Sequence, residues 1–250
     1  MIILISNIIK TIFLVFFLLV IAPTLVFLTR WYYANLIGKK TYVGIIELPS
    51  IITNSDDVIN SAKNLFSSSE IKAIIIKCDS IGGNAGSCYT IYSDLLKLRN
   101  LYDKPLIAFI EKECLSGAYA IATAADVIVA SPSSTIGKFG VFSEPNDVQN
   151  EELAKSFESQ YFSIIEYTRT KKCFEFVKKS CSANNDEMLT GDRAKKNKVI
   201  DSLGGQMEIE TIIRKRTTVE GKIETVRGSI IDHFVSSISN IVHRIINGVK

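Results

Sequence analysis

The sequence predicts an α/β fold, a parallel sheet with helical crossovers that is preceded by one transmembrane helix. Short apolar runs rich in β-branched residues recur along the chain and alternate with stretches of helical periodicity. An uncharged apolar stretch near the start is long enough to cross a bilayer. The length of 250 residues fits one main domain with additions.

The membrane anchor is predicted from residues 11–28, which contain no charged side chain. About 20 apolar residues in a helix span the hydrocarbon core of a membrane. Lys10 precedes the run, and Arg30 and Trp31 follow it, which is the charged and aromatic border typical of a lipid interface. A cleaved signal peptide would have a shorter apolar region followed by a small-x-small site. We therefore expect residues 1–30 to be retained as an anchor.

The main domain, residues 41–217, is predicted from four strands and the helices between them. The strands are short β-branched runs of the kind that is buried on both faces of a sheet: Thr41 to Leu48, Ile71 to Cys78, Pro105 to Ile110 and Asp126 to Ala130. Helical stretches separate them or follow them: Asp56 to Phe66, Ser87 to Asn100 and Ser116 to Ala125. Alternation of strand and helix favours parallel pairing.

Two more helices are predicted after the last of these strands. Apolar residues recur every three or four positions from Asp147 to Lys179, as in one long helix packed on one side. Residues 218–250 are predicted to form an amphipathic tail, with a flexible join over Val219 to Gly228. The helical part, Ser229 to Ile246, is expected either to dock on this or another copy of the chain or to lie on the membrane surface.

Composition excludes several classes of function. The net charge is +3 and the basic residues are scattered, so we expect no nucleic-acid partner. The five cysteines form no C-x-x-C pair and are predicted to be buried free thiols rather than zinc ligands or disulfides. The two histidines, His233 and His243, leave few ligands for a metal. We expect neither a metal nor a cofactor.

Paired glycines follow the second predicted strand. The segment Asp79 to Gly83 runs from a buried strand into Gly82 and Gly83, and a helix comes next. Glycines let backbone N–H groups come close to a ligand, as an oxyanion site requires, although such a pair is also common in an ordinary turn. The Gly-Lys-Ser/Thr ending of a P-loop is missing.

Ser116 follows the third predicted strand and opens a helix of small residues. A serine in this place is usually an N-cap, but the free N–H groups of a helix start also stabilise negative charge beside a nucleophilic hydroxyl. The Gly82-Gly83 loop and Ser116 both follow carboxyl ends of strands, where open α/β sheets bind ligands. Both interpretations of Ser116 remain open on these residues alone.

Several motifs together give the chain a family resemblance. They are Asp79-Ser80-Ile81-Gly82-Gly83, Leu115-Ser116-Gly117-Ala118-Tyr119, Gly137-Lys138-Phe139-Gly140-Val141, Thr190-Gly191-Asp192-Arg193-Ala194 and Ile200-Asp201-Ser202-Leu203-Gly204. In this order, behind an anchor, they resemble the signal peptide peptidase A family, membrane-bound Ser-Lys peptidases with a ClpP/crotonase-like fold. The resemblance covers about Val43 to Gly205.

The resemblance implies a mechanism and a setting. Ser116 would attack a peptide carbonyl, and the oxyanion would be held by N–H groups of the Gly82-Gly83 loop and Gly117, with a lysine as the base. Peptide substrates, a homo-oligomer and contact with membrane lipid through residues 11–28 are implied as well. The family places its domain outside the bacterial inner membrane, which we follow here. Counted alone, the basic residues Arg30, Lys39 and Lys40 after the span favour a cytoplasmic domain.

The general base is the part of the family's site that the resemblance does not locate in this chain. In the family it lies in a Gly-x-x-Lys segment after the Gly-Val strand, but here only residues 142–145 separate Val141 from the next predicted helix. The first substitute is Lys138, which replaces a serine of the family motif and could equally be a solvated turn residue. Lys155, Lys171 and Lys172 are further substitutes, each with an ordinary surface role as its alternative.

Three functions therefore remain. The leading hypothesis is a membrane-anchored serine peptidase that hydrolyses signal-peptide remnants or other peptides. The second is a degenerate relative that binds peptides or scaffolds a membrane assembly, suggested by the missing lysine segment and by Ala118 where the family has glycine. Acyl-CoA chemistry on a crotonase-type fold is a weaker third. Cys114 as the nucleophile and a triad with His233 or His243 are less favoured than Ser116 with a lysine.

Overall fold

The computed structural model describes residues 10–36, 41–140, 148–182, 187–217 and 221–227. In the N-terminal part, helix α1 (Lys10–Tyr32) is long and apolar enough to cross a membrane, with a mean hydropathy of 2.8 in its most apolar window. A π-helical turn, Phe17–Ile21, interrupts it, and α-helix continues over Ala22–Leu36. The predicted apolar helix is therefore present, and no residue of that window is buried within the structure.

The main sheet has six strands, all in parallel pairs, in the order β8-β5-β3-β2-β1-β9. They are β1 (Thr41–Glu47), β2 (Ile71–Lys77), β3 (Leu106–Ile110), β5 (Val127–Ala130), β8 (Ser202–Leu203) and β9 (Ile223–Arg227). The four predicted strands agree with β1, β2, β3 and β5 to within one residue at each end. The predicted α/β class with a parallel sheet is confirmed.

Helices cover both faces of this sheet, which is why its strands are apolar throughout. On one face, α2 (Asp56–Ser67) and α3 (Ala85–Tyr102) bury Leu65, Phe66 and Leu95 against the strands. The other face carries a smaller apolar layer, in which α8 (Gln206–Arg216) packs Ile209 and Ile213. The helix predicted from Asp56 to Phe66 is confirmed as α2. The helix predicted from Ser87 to Asn100 is confirmed as α3, which begins two residues earlier, at Ala85.

A second, three-stranded sheet was not predicted from the sequence. Its order is β4-β6-β7, formed by β4 (Glu113–Leu115), β6 (Thr135–Gly137) and β7 (Met188–Thr190). β4 and β6 are parallel, whereas β6 and β7 are antiparallel. Each strand has only three residues, too few for a period of two to be recognised. The short helices α4 (Gly117–Ala122) and α7 (Gly191–Lys196) follow β4 and β7.

The long helix predicted over Asp147 to Lys179 is wrong in one respect, because two helices occupy this region. They are α5 (Val148–Thr168) and α6 (Lys171–Ser182). Between them the guanidinium of Arg169 bonds both carboxylate oxygens of Asp201, at 2.8 and 2.9 Å, and the chain turns there. An apolar period continues across such a turn, so periodicity alone could not reveal it.

The boundary predicted for the tail is also corrected. Ile223–Arg227, which was expected to lie in a flexible join, is β9 and pairs with β1 along five positions. Residues 223–227 contain three β-branched residues, but charged Glu224 and Arg227 lie among them at the edge of the sheet, so the signal for a strand is weak. The amphipathic stretch Ser229 to Ile246, with His233 and His243, lies outside the described residues.

Candidate active site

Three chain segments end side by side at the small sheet and form the site. The Ser80 backbone pairs with β4, since its N–H donates to the Glu113 carbonyl and its carbonyl accepts from Leu115, both at 3.0 Å. β4 pairs in turn with β6. The loop after Ser80, the residues after β4 and the turn after β6 therefore emerge at one edge. The structure brings together the residues that the sequence singled out in these three motifs.

Ser116 occupies a backbone conformation that is rare for a residue with a side chain. Its φ and ψ are 48° and −122°, and it immediately precedes the first residue of α4. Its side chain makes no capping hydrogen bond to that helix, so the ordinary N-cap role does not apply. Oγ instead donates to the Gly140 carbonyl at 2.9 Å. Strained residues of this kind concentrate at functional sites, and in α/β-hydrolases a sharp strand-to-helix turn carries the nucleophile.

The glycine loop lies directly against Ser116. Gly82 has φ +91°, and a Cβ built on it would lie 3.0 Å from the Gly117 nitrogen and 3.2 Å from the Ser116 Cβ. The Gly82 N–H is already used, since it donates to Ser80 Oγ at 3.2 Å. This glycine therefore supplies close approach rather than an oxyanion donor.

Gly83 and Gly117 are the remaining glycines of the first two motifs. Both line the cavity that holds Ser116. Gly117 is the first residue of α4, where an N–H has no partner within the helix. A helix start also carries partial positive charge, which stabilises an anion. The two glycines are thus suited to hold an oxyanion.

A cavity of about 420 Å³ opens over Ser116. Its described lining is mostly apolar and includes one charged residue, Lys138. The lining comprises Ile81, Gly83, Ala85, Cys88, Tyr89, Leu115, Ser116, Gly117, Ala120, Lys138, Gly140, Phe157, Gln160, Tyr161 and Ile164. A space of this size and character accommodates a side chain of a bound peptide.

Lys138 lies next to Ser116 because of the register between β4 and β6. Leu115 and Gly137 are direct partners in this parallel pair, and Ser116 and Lys138 each come one residue later. The Ser116 N–H extends the pairing by donating to the Gly137 carbonyl at 3.0 Å. Lys138 has φ 47° and lines the same cavity. The lysine predicted as a substitute base is therefore beside the serine, although Oγ is bonded to Gly140.

The other substitute bases do not line the cavity. Lys171 pairs with Glu175 on the same helix, with 3.8 Å between Nζ and the carboxylate oxygen, and its side chain is 89% exposed. Lys172 Nζ donates to the Lys196 carbonyl at 3.0 Å. Lys155 lies exposed on α5. The positions of these three lysines fit the ordinary surface role that we predicted as the alternative to a base.

Cys114 is also separated from the cavity. Its side chain is fully buried, and burial raises the pKa of its thiol well above the ordinary value. A buried neutral thiol is a poor nucleophile. Of the two predicted nucleophiles, Ser116 and Cys114, Ser116 lines the cavity and Cys114 does not.

One wall of the cavity comes from α5, which the sequence indicated only as a packed helix. Phe157, Gln160, Tyr161 and Ile164 line it from one face of that helix. On another side Cys88 lies against Gly117, since a Cβ on that glycine would be 2.5 Å from Sγ. Spacing of three and four residues marks a buried face but cannot separate a core contact from a cavity wall.

Comparison with known proteins supports the family resemblance. A profile of peptidase family S49 matches residues 99–170, which include Ser116 and Lys138. Protease 4 of Salmonella typhi is 36% identical over 81 residues, which are 32% of this chain and 13% of that protein. The Na(+)/H(+) antiporter NhaA of Brucella melitensis is 36% identical over 78 residues, 31% of this chain and 11% of that protein. The matches thus span a small part of both relatives.

Solved structures share the fold. A variant of the 1510-N membrane-bound stomatin-specific protease has a TM-score of 0.54 and 16% identity, and the match covers 76% of this chain and 98% of that one. A second variant, in complex with a substrate peptide, has the same TM-score and 17% identity, with 81% and 99% covered. The predicted resemblance to the signal peptide peptidase A type of peptidase is confirmed in sequence and in fold.

Proposed function

Because this chain is similar to peptidase family S49, we propose that it is a membrane-anchored serine peptidase with Ser116 as its nucleophile. One observation carries the proposal. Ser116 is held at a left-handed turn in an apolar cavity, one residue beyond the paired positions Leu115 and Gly137, with Lys138 in the same place on the neighbouring strand. A hydroxyl, a lysine side chain and the N–H groups of a helix start thus belong to one cavity.

The arrangement supports acyl transfer through a covalent intermediate. Ser116 Oγ attacks the scissile carbonyl, and its proton passes to the neutral amine of Lys138. The N–H groups of Gly83 and Gly117 hold the oxyanion. Lys138 then returns the proton to the leaving amine. A water molecule, deprotonated by the same lysine, attacks the acyl carbonyl, and Lys138 passes that proton to Ser116 Oγ as the acid leaves. These reaction steps require Ser116 Oγ to give up its hydrogen bond to the Gly140 carbonyl and to form one with the Lys138 amine.

Peptides are the substrate class that this site fits. The cavity is lined by apolar side chains such as Ile81, Leu115 and Ile164, which suit an apolar residue of an extended chain. A neighbour of the same fold was solved with a substrate peptide. We include signal-peptide remnants among the proposed substrates because such peptides are apolar and reside in membranes. The proposed setting is the bacterial inner membrane, with α1 in contact with lipid, the domain outside and a homo-oligomeric assembly.

Labelling with a fluorophosphonate tests the proposal directly. The full chain in detergent should be labelled at Ser116, and Ser116→Ala should remove both the label and peptide hydrolysis. Ser163→Ala is a matched control, because Ser163 is exposed on α5 and its hydroxyl bonds only within that helix, to Ser159 at 2.9 Å. The control should behave as wild type. A wild-type protein that is neither labelled nor active would defeat the proposal.

One observation favours a second candidate, a peptide-binding relative without catalysis. Ser116 Oγ donates to a backbone carbonyl, and the segment that carries the family's usual lysine is missing between Gly140 and α5. Such a protein would bind apolar peptides in the same cavity without cleaving them. Peptide binding that is equal in wild type and Ser116→Ala, with no turnover in either, would support it. Turnover that disappears in Ser116→Ala would exclude it.

A further inference from the structure

We infer that Tyr161 is a positioning residue for the nucleophile, because its hydroxyl forms a bridge from α5 to the turn at Ser116 and so holds the backbone from which Oγ projects. The inference rests on the proposed function, in which Ser116 is the attacking group. Tyr161 belongs to α5, an element outside the three motifs that form the site. In this role α5 does more than form a wall of the cavity, because it also holds the nucleophile in position.

The hydroxyl of Tyr161 contacts the turn that carries the nucleophile. It donates to the Ser116 carbonyl at 3.4 Å. The side chain is 5% exposed. Burial raises the pKa of Tyr161 well above its ordinary value, so the hydroxyl keeps its proton and remains a donor at every pH at which a peptidase is assayed.

Ser116 needs such support because of its backbone. A left-handed conformation is unfavourable for a residue with a Cβ, and it persists only where surrounding contacts hold it. Two bonds link Ser116 to the turn after β6, from its N–H to the Gly137 carbonyl and from Oγ to the Gly140 carbonyl. In the proposed mechanism the second of these must break. The bridge from the Tyr161 hydroxyl to the Ser116 carbonyl then still holds the turn at Ser116 while Oγ rotates.

The ring and the hydroxyl of Tyr161 can be separated experimentally. The ring packs edge-on against Phe162, with centroids 6.3 Å apart, and forms part of the cavity wall. Tyr161→Phe keeps the ring and removes only the bridge. Tyr167 offers a matched control, since it lies on the same helix, is 77% exposed and does not line the cavity.

The test compares Tyr161→Phe and Tyr167→Phe with wild type in peptide hydrolysis and in fluorophosphonate labelling. We expect Tyr161→Phe to lower kcat about 10-fold with KM changed by less than about 2-fold, since a loss confined to kcat marks an interaction of the reacting state. The rate constant of labelling should fall by the same factor, and the Tm should stay close to that of wild type. Tyr167→Phe should match wild type in all four measurements.

Several outcomes would overturn the inference. Unchanged kcat and labelling in Tyr161→Phe would show that the hydroxyl does not position Oγ. A raised KM alone would mean that Tyr161 contacts substrate, and an activity loss that follows a lowered Tm would mean a purely structural role. If the wild-type protein is itself unlabelled, the proposed function fails. Hydrogen exchange then tests whether the Tyr161 hydroxyl holds the turn at Ser116. Amides of residues 113–119 should then still exchange faster in Tyr161→Phe, and equal exchange would contradict the positioning role.

Discussion

Ser116 and Lys138 are neighbours across a parallel strand pair, because each follows one of the two register partners Leu115 and Gly137. Neighbouring strands lie about 4.8 Å apart, so the two backbones are within reach of a lysine side chain. Both residues line one cavity, and both have left-handed backbone conformations. In the proposed mechanism, Lys138 takes the role of the lysine that the family carries in the segment after its Gly-Val strand.

The first prediction concerns Lys138 as the base. Lys138→Met keeps the length of the side chain and removes the amine, and we expect kcat to fall by about 100-fold to 10,000-fold, the usual contribution of a general base. Peptide hydrolysis and the rate of fluorophosphonate labelling at constant pH measure this. Lys171→Met is the control, since that side chain is 89% exposed on α6. Wild-type kinetics in Lys138→Met would assign proton transfer to another group.

The second prediction concerns close approach at Gly82. Gly82→Ala puts a Cβ at 3.0 Å from both the Gly117 nitrogen and the Leu115 carbonyl oxygen, in a left-handed backbone. The strain is about 1–2 kcal/mol, and relief moves the oxyanion donors, so kcat/KM should fall at least about 10-fold.

Gly86→Ala is the matched control for this change. Gly86 lies in α3, near the same loop, and an added Cβ would meet only Asn84 Oδ1 at 3.4 Å. Alanine is favoured over glycine in a helix, so this variant should be fully active and equally or more stable. Urea denaturation and hydrolysis assays on both variants measure the contrast. Equal activities would show that the approach of Gly82 to Gly117 does not matter for catalysis.

The sequence predicted the main sheet and the place of the nucleophile, because both leave local signals. β1, β2, β3 and β5 are mostly apolar runs, and Ser116 stands in a recognisable motif. What it could not predict depends on pairing between distant segments. The position of Lys138 beside Ser116 follows from the register of β4 and β6, two strands of three residues each. The contact of Tyr161 with Ser116 joins residues 45 positions apart and has no local signature.

The third prediction concerns alkaline stability and Cys88. This residue is 3% exposed, and burial raises its pKa from 9.0 to about 11. The folded state therefore holds the proton more tightly than the unfolded state, and the stabilisation is complete below pH 9 and is lost as the pH rises towards 11. The free energy of unfolding should fall over this window by on the order of 1–3 kcal/mol more in wild type than in Cys88→Ala.

Urea denaturation followed by circular dichroism at several pH values measures this difference. Cys88→Ala also removes packing, but that loss is the same at every pH and leaves the slope unaffected. The other buried thiols and tyrosines titrate in both proteins and cancel in the comparison. Parallel pH profiles for the two proteins would contradict the prediction.

The last prediction separates the two partners of the ion pair at the junction of α5 and α6. The side chain of Arg169 is 6% exposed, whereas that of Asp201 is 37% exposed. Asp201→Ala leaves a buried guanidinium without its carboxylate, and we expect a loss of about 3–5 kcal/mol, as for a broken buried pair. Arg169→Met leaves a carboxylate that water can reach, and that still accepts the Ile128 N–H at 2.8 Å. We expect a smaller loss, about 1–3 kcal/mol.

Urea denaturation of the two single variants and the double variant measures the asymmetry. The double variant should be more stable than Asp201→Ala, because removal of the unpaired arginine also removes the uncompensated buried charge. The exposed pair of Lys171 and Glu175 on α6 provides the reference, and Lys171→Met should change stability by less than about 0.5 kcal/mol. Equal losses of stability in Arg169→Met and Asp201→Ala would mean that burial of the charge left unpaired does not determine the loss of stability. The turn between α5 and α6 would then depend on the carbonyl contacts of Arg169 rather than on its charge.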